Sequence, residues 1–359
     1  MNAPLFEDFD GEGDIVPAGL GDHTGNACTI ICKIIKAYRP FTMSPVLLVS
    51  LSISQSPESS SKGSMTRIPS TAIVKLYDRR CFTNFRVDFD EGKPWTLDKE
   101  REYRQYLDST STSTSASPSP SRGSKSDFAN PTYLWDNDVS DGEFEAYLDH
   151  VAQRTFTAER TTYDRLHELQ GTKIPTLYGV VNYHSVIPDP RNDGATITDT
   201  IPGLLLEYIP SISLRELVTT WTVRDPPFPN SVLVALCEQA VKVVDRISDF
   251  EVLNEDVRVD NFLIRDTFLA SSTSLVSTGT ITSAAVGIRV MDDAVVLIDL
   301  GQCRLRRDDE SEDEWVEAKW SQDETGAVGF VLRNLVRRFV GEGVWNYERS
   351  LRYYRPLEE

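Results

Sequence analysis

Two apolar spacings run through this chain, and they are segregated along its length. Strand-like runs crowd the first part: CTIICKII (28–35), PVLLVSLSI (45–53), TAIVKLYD (71–78), IPTLYGVVNYHSVI (174–187) and PGLLLEYI (202–209). The first two flank AYRPFTMS and predict a hairpin. Helical spacing dominates the rest. NSVLVALCEQAVKVVDRI (230–247) carries Val232, Leu233, Leu236, Ala240, Val243, Val244 and Ile247 on one stripe. SQDETGAVGFVLRNLVRRFV (321–340) carries Val328, Val331, Leu332, Leu335, Val336 and Phe339, with Ser321 and Glu324 spaced as a capping box. FEAYLDHVAQ and TAERTTYDRLHELQ, within 144–170, read as one or two helices among the strands. Strands first and helices second is an α+β layout, with a lobe boundary expected near residue 209.

Hydrophobic content of 40% over 359 residues is enough for one large domain or two modest lobes. The net charge of −18 sets the surface apart. Such a field repels nucleic-acid phosphates and anionic membranes, so neither is expected as a partner. A polyanionic ligand would need a local cation or metal. The five cysteines (Cys28, Cys32, Cys81, Cys237, Cys303) are scattered and odd in number, which predicts free thiols in a reducing compartment. The start, MNAPLFEDFDGEGD, is acidic and has no apolar core, and no run of apolar residues is long enough for a spanning helix. Cytoplasmic or nuclear residence is the expectation. SQSPESSSKGSMTR (54–67) and DSTSTSTSASPSPSRGSKSD (108–127) read as loop or disorder, and ASSTSLVSTGTITSAA (270–285) as a Ser/Thr-rich insert or hairpin.

Chemistry concentrates in VLNEDVRVDNFLIRD (252–266). An apolar run breaks for acids and amides, then resumes as Phe262-Leu263-Ile264. Further on, Val295-Val296-Leu297-Ile298 runs straight into Asp299-Leu300-Gly301. A charge placed directly after four buried apolar residues is costly unless it meets a metal or a partner. Asp256, Asn261 and Asp299 offer the hard oxygen donors that Mg²⁺ takes. Taken singly, each has a plainer role: a turn-former, a strand cap and an edge acid. Lys75 sits mid-strand between apolar neighbours, where a lysine either snorkels or meets an anion. Glu159 shares a helix face with Tyr163 and Leu166 and is the foremost carboxylate to hold it, ahead of Glu143, Glu145 and Glu168. In PGLLLEYIP, backbone groups at Glu207 and Ile209 suit the edge of a flat heterocycle, or simply a strand joining two lobes.

The order Lys75, Glu159, LLLEYI, D-x4-N and DLG resembles the protein kinase-like superfamily. In detail it is similar to a fungal kinase-like group, in which the lysine stands in K-x-Y-D-R-R (here KLYDRR). There a helix reads E-x3-Y-x2-L (ERTTYDRL) followed by LQGTKIPTLYG, and the metal strand reads IDLGQCR. The resemblance spans about 28–265 and 290–345 and implies a bilobal α+β fold. Its β-rich N-lobe would cover 28–208, with an insert at 108–127. A reduced helical C-lobe would cover 209–359, with an insert at 266–289, and an acidic tail (1–27) would precede both. It implies ATP and Mg²⁺ as cofactors, and a hydroxyl-bearing acceptor, protein or small molecule, as the other substrate. It also implies roles. Lys75 would hold the α- and β-phosphates and Glu159 would fix Lys75. Leu206 would back the adenine pocket, with the Glu207 carbonyl and Ile209 N–H on the base. Asp256 would be the catalytic carboxylate, Arg258 would face the transferred phosphate, and Asn261 and Asp299 would bind Mg²⁺.

Four departures set limits on that resemblance. No glycine-rich loop precedes Lys75; Thr42 and Ser44 of AYRPFTMS, or backbone amides, would have to cover the phosphates. Asn254-Glu255 replaces the usual His-Arg, so control by a phosphorylated activation loop is not expected. Extra residues separate Asn261 from Asp299. Few residues follow Gly301, and no Ala-Pro-Glu motif is among them. Alternatives are therefore a pseudokinase that binds nucleotide or only scaffolds, and a small-molecule kinase with a compact second lobe. The acidic run DDESEDE (308–314) reads as a solvated loop, or as an attractor of a basic substrate.

Overall fold

The computed structural model describes residues 14–21, 27–53, 69–112, 127–130, 132–224, 228–268 and 291–355. They fall into two compact units. One contains the chain up to Thr157 together with Leu177–Tyr208; the other contains Ala158–Thr176 together with Ile209 onward. The first is built on strands and the second on helices with small sheets, which is the expected α+β layout. The Ser-rich stretch 54–67, most of 108–127 and the insert 270–285 lie outside the described residues.

In the first unit a curled antiparallel sheet runs β2 (Ala27–Ala37), β3 (Val46–Ile53), β4 (Thr71–Leu76), β6 (Thr196–Glu207) and β5 (Leu177–Pro188). β1 (Asp14–Gly21) pairs with β2, and its Gly21 pairs with Val180 of β5, closing the ring. That strand lies where composition suggests only an acidic tail. Alternation puts Cys32, Ile34, Leu47, Val49, Ala72, Val74, Leu76, Val181 and Leu205 inside as one buried cluster. Each Val, Leu or Ile of the cluster stabilises by roughly 1.5–3 kcal/mol. Gly203 permits the tight pairing of β4 and β6: a Cβ there would stand 2.8 Å from the Lys75 carbonyl and from Leu76 Cδ2.

Four helices belong with this sheet: α1 (Thr83–Phe89), α2 (Leu97–Thr112), the one-turn α3 (Tyr133–Asp136) and α4 (Asp141–Arg165), whose last turns fall in the second unit. Periodicity predicts only α4. It misses α2 (LDKEREYRQYLDSTST) because what α2 buries is a charge. Glu100 is fully buried and pairs with Arg79; it also accepts hydrogen bonds from Trp95 Nε1 (3.1 Å) and Arg104 Nε (2.7 Å). Arg79 reaches Glu145 of α4 at 2.5 Å and lies 3.9 Å over the Tyr103 ring. Arg86 reaches Glu145 at 2.6 Å, and Arg104 reaches Asp199 of β6 at 2.5 Å. Asp78, also buried, accepts from Arg80 Nε at 2.8 Å and from its N–H at 3.0 Å. Arg79 of the Asp-Arg-Arg that follows Lys75 thus fastens two helices, α2 and α4, to the end of β4.

In the second unit, α5 (Leu214–Thr219), α6 (Asn230–Ser248), α7 (Glu312–Gln322) and α8 (Glu324–Phe339) surround two small sheets. One orders β10 (Val295–Leu297), β9 (Phe262–Arg265) and β7 (Ser211–Ser213); the other pairs β11 (Cys303–Leu305) with β8 (Val252–Asn254). Every residue of the stripe predicted for α6 is buried. The helix expected over 321–340 is two helices, broken at Asp323, whose φ is +44°. The capping box expected at Ser321 and Glu324 is not there. Ser321 lies in the last turn of α7, and Asp323 caps α8 by accepting the Gly326 N–H at 3.2 Å. The same S-x-x-E spacing recurs ten residues earlier, and that copy caps. Ser311 Oγ accepts the Glu314 N–H (3.2 Å), and Glu314 accepts the Ser311 N–H (2.8 Å). Much of DDESEDE is therefore the acidic first turn of α7, favourable at a helix N-terminus. Of the α8 stripe, Val328, Leu332 and Val336 are buried and Val331 is exposed. Among the described residues, no helix is long and apolar enough to cross a membrane. The described cysteines with defined surroundings, Cys32, Cys81, Cys237 and Cys303, are free and buried.

Candidate functional site

Two loops of the second unit run side by side. One joins β8 to β9 and carries Asp256, Arg258 and Asn261. The other joins β10 to β11 and carries Asp299, Leu300 and Gly301. Both ends are tied. Asn254 is in register with Cys303, and the Glu255 N–H donates to the Gln302 carbonyl at 3.0 Å. At the far end Phe262 is in register with Leu297, and the Ile298 N–H donates to the Asn261 carbonyl at 2.9 Å. The ladders hold the three predicted oxygen donors, Asp256, Asn261 and Asp299, on one short pair of loops. Asp256 and Asn261 are half-buried and Asp299 is exposed, so solvent and solutes reach them.

Asp299 has φ +62°, in the left-handed region that L-residues other than Asn and Asp rarely occupy. Glu91, Glu251 and Asp323 also have positive φ; Asp299 differs from them in lying on the loop tied to Asn261. Next to Asp299, the Leu300 N–H donates to Glu159 Oε1 at 3.3 Å. Glu159, fully buried on α4, thereby fastens its carboxylate to the backbone of the Asp-Leu-Gly turn. Spacing alone does not predict that contact.

Asp256 is oriented twice. Its N–H donates to Asn254 Oδ1 at 2.9 Å, and its Oδ1 accepts from Arg258 Nε at 2.6 Å. The base of the loop is held by a pair that sequence reasoning missed. Lys319, buried on α7, donates to Ser248 Oγ (2.7 Å) and to the Val252 carbonyl (3.0 Å), and is paired with Glu324. Glu324 Oε1 accepts the Asn254 N–H at 2.8 Å. Burial lowers the Lys319 ammonium and raises the Glu324 carboxyl from their ordinary values, while each opposes the other's shift. Breaking such a buried pair costs about 3–5 kcal/mol. Lys319 follows Trp315 and Val316 at helical spacing, a legible sign that its face is buried; Glu324 was masked by its place in a capping pattern.

In the first unit, Lys75 stands on β4 in register with Val46 of β3 and Leu204 of β6, and is buried. Ala72, Val74 and Leu76 point into the barrel, so Lys75 and Ile73 occupy its outer face. Lys75 Nζ lies 5.8 Å from the Tyr77 ring centroid, and Tyr77 meets Phe156 of α4 at 5.4 Å. Leu206, in register with Ile73, shares that face and is buried; Glu207 is in register with Ala72. The turn before β3 is docked by its carbonyls: Thr83 Oγ1 donates to Phe41 O at 2.6 Å and the Asn84 N–H to Thr42 O at 3.4 Å. Thr42 is exposed and Ser44 half-buried. Glu145 is committed to Arg79 and Arg86, and Glu143 accepts from the Tyr133 hydroxyl. Ile209, in the second unit, is buried, and its carbonyl accepts from Ser211 Oγ at 2.8 Å.

A carboxylate and an amide oxygen, both reachable from solvent, are too few for an all-protein metal cage. Among the described residues no cluster of three or more His, Cys, Asp or Glu side chains is poised for a metal ion. They do suit Mg²⁺ that arrives with a phosphate ligand and keeps several waters. No protein-family model matches this chain, and no curated protein matches it.

Proposed function

We propose that this chain is a member of the protein kinase-like superfamily with its bilobal fold, and that it transfers the γ-phosphate of ATP to a hydroxyl acceptor with Mg²⁺. The paired loops carry this reading: D-x4-N and D-L-G are tied by ladders at both ends, with Asp299 in a left-handed backbone. Lys75 adds to it. It lies mid-strand on β4, between β3 and β6 of the antiparallel sheet, and protein kinases likewise carry their phosphate-binding lysine on a strand of the first lobe.

In this mechanism Lys75 holds the α- and β-phosphates, with Leu206, the Glu207 carbonyl and the Ile209 N–H around the adenine. Glu159 holds the turn that carries Asp299. Asn261 and Asp299 would hold Mg²⁺, which when bound would supply positive charge beside the phosphate oxygens. The acceptor oxygen attacks the γ-phosphorus, the bond to the β–γ bridging oxygen breaks, ADP leaves, and Asp256 takes the hydroxyl proton. Arg258, largely exposed beside Asp256, offers its guanidinium to the moving phosphoryl group.

A nucleotide-binding module without transfer is the rival. The Arg258–Asp256 pair at 2.6 Å favours it, because a carboxylate oxygen already accepting from Arg258 is not free to accept from an acceptor hydroxyl. Phosphate transfer from labelled ATP, to protein and small-molecule acceptors of a cell extract, decides between them. Transfer that falls at least about 100-fold in Asp256→Asn and in Asp299→Asn is the expected result. ATP binding with no transfer by the wild type establishes the rival. Label on metabolites but not on proteins identifies a small-molecule kinase.

A further inference from the structure

We infer that Glu310, Arg304 and Glu255 form a permanent ionic latch that holds the segment after Asp299 against the loop carrying Asp256, so that the site assembles without phosphorylation. The inference rests on the phosphotransferase reading of that site.

Arg304 lies on β11 in register with Leu253 of β8. Glu310 grips its guanidinium with two parallel bonds, Nη1 to Oε2 at 2.9 Å and Nη2 to Oε1 at 2.9 Å. The Glu310 side chain is 2% exposed. It also accepts the Arg307 N–H at 3.1 Å, while Arg306 Nη2 donates to the Glu310 carbonyl at 3.3 Å. The third edge of the fork, Arg304 Nε, stands 3.4 Å from Glu255 Oε1, on the residue before Asp256. The Trp315 ring lies 5.4 Å from the same guanidinium.

Glu255 is half exposed, and such a pair alone contributes little. Here the fork is already oriented by two charge-assisted bonds, so the contact with Glu255 requires little further ordering of the arginine. Phosphorylation orders a loop by giving an arginine a new anion to hold. At this place the anion is already present as Glu310, and the second carboxylate sits on the Asp256 loop itself. Arg304 and Glu310 are therefore positioning residues.

Amide hydrogen exchange and steady-state kinetics on wild type, Glu310→Gln, Arg304→Lys and the exchange R304E/E310R test the latch. Glu310→Gln is nearly isosteric. It should speed exchange in 299–310 and 255–258 and lower kcat by about tenfold, with KM for ATP changed less than about twofold. Arg304→Lys, which keeps the charge and loses the fork, should fall between it and wild type. R304E/E310R should recover protection in 299–310 but leave 255–258 loose, since the new carboxylate faces Glu255. Phosphatase-treated wild type should keep its rate. Unchanged exchange in 255–258 in Glu310→Gln, or a rate lost on phosphatase treatment, overturns the latch. A wild type with no transfer sinks the phosphotransferase reading alone, and the exchange data still decide whether the latch exists.

Discussion

Asp299 concentrates the residue-scale evidence. Its carboxylate is the proposed metal ligand and its backbone carries a φ of +62°. Two substitutions separate these. Asp299→Ala and Asp299→Gly both remove the carboxylate, but only glycine relieves the left-handed backbone. The glycine variant should be more stable than the alanine variant by about 1 kcal/mol in urea unfolding, and both should lose ATP-dependent phosphate transfer. Equal stabilities would show that the backbone conformation is not held at Asp299. The sequence makes this acid legible as a charge following Val295-Val296-Leu297-Ile298, but the burial cost expected there is absent: Ile298 is half-buried and Asp299 exposed. It hints that Lys319 is buried but does not reveal its partners, because Glu324 acts through the Asn254 N–H and Lys319 through Ser248 and the Val252 carbonyl, contacts that no local pattern encodes.

At the scale of elements, α2 shows why charge deserves as much weight as apolar spacing. Its Glu100, with Asp78 and Glu145, ties helices to the sheet through Arg79, Arg80, Arg86 and Arg104. Burial pushes the Glu100 and Asp78 carboxyls up, but the arginines beside them prevail and hold both below their ordinary values of 4.5 and 3.8. The unfolded chain therefore takes up protons first as pH falls, and the stability these groups contribute, full above their ordinary values, is lost toward their lower folded ones. The urea midpoint should drop steeply below about pH 4.5, and Glu100→Gln should be less stable at pH 7 with a shallower acid slope. A Glu100→Gln variant with the wild-type slope would remove this network from the account. The strands were legible in the first unit because their alternation is simple, as in Leu47 and Val49 or Ala72, Val74 and Leu76. The helix break at Asp323 was not, since Ser321 and Glu324 have the spacing of a capping box and the apolar stripe begins only at Val328.

For the whole molecule, a net charge of −18 sets the terms on which a triphosphate can bind. Neither Mg²⁺ nor ATP alone satisfies the proposed site: Asn261 and Asp299 are too few to hold the ion, and the acidic field opposes the free nucleotide. Binding should be cooperative between them. The α+β order, the α6 stripe and the two loop motifs were all readable from residue spacing; the tie between the loops needed the β8–β11 and β9–β10 ladders to be seen. Thermal unfolding of the full chain with ATP, with Mg²⁺, and with both, for wild type, Lys75→Ala and Asp299→Ala, tests whether Lys75 and Asp299 serve one magnesium–nucleotide site. The account predicts a rise on the order of 2–5 °C for wild type with both together at saturation, little with either alone, and none in the two variants. No shift in wild type, or the same shift in Asp299→Ala, would contradict it.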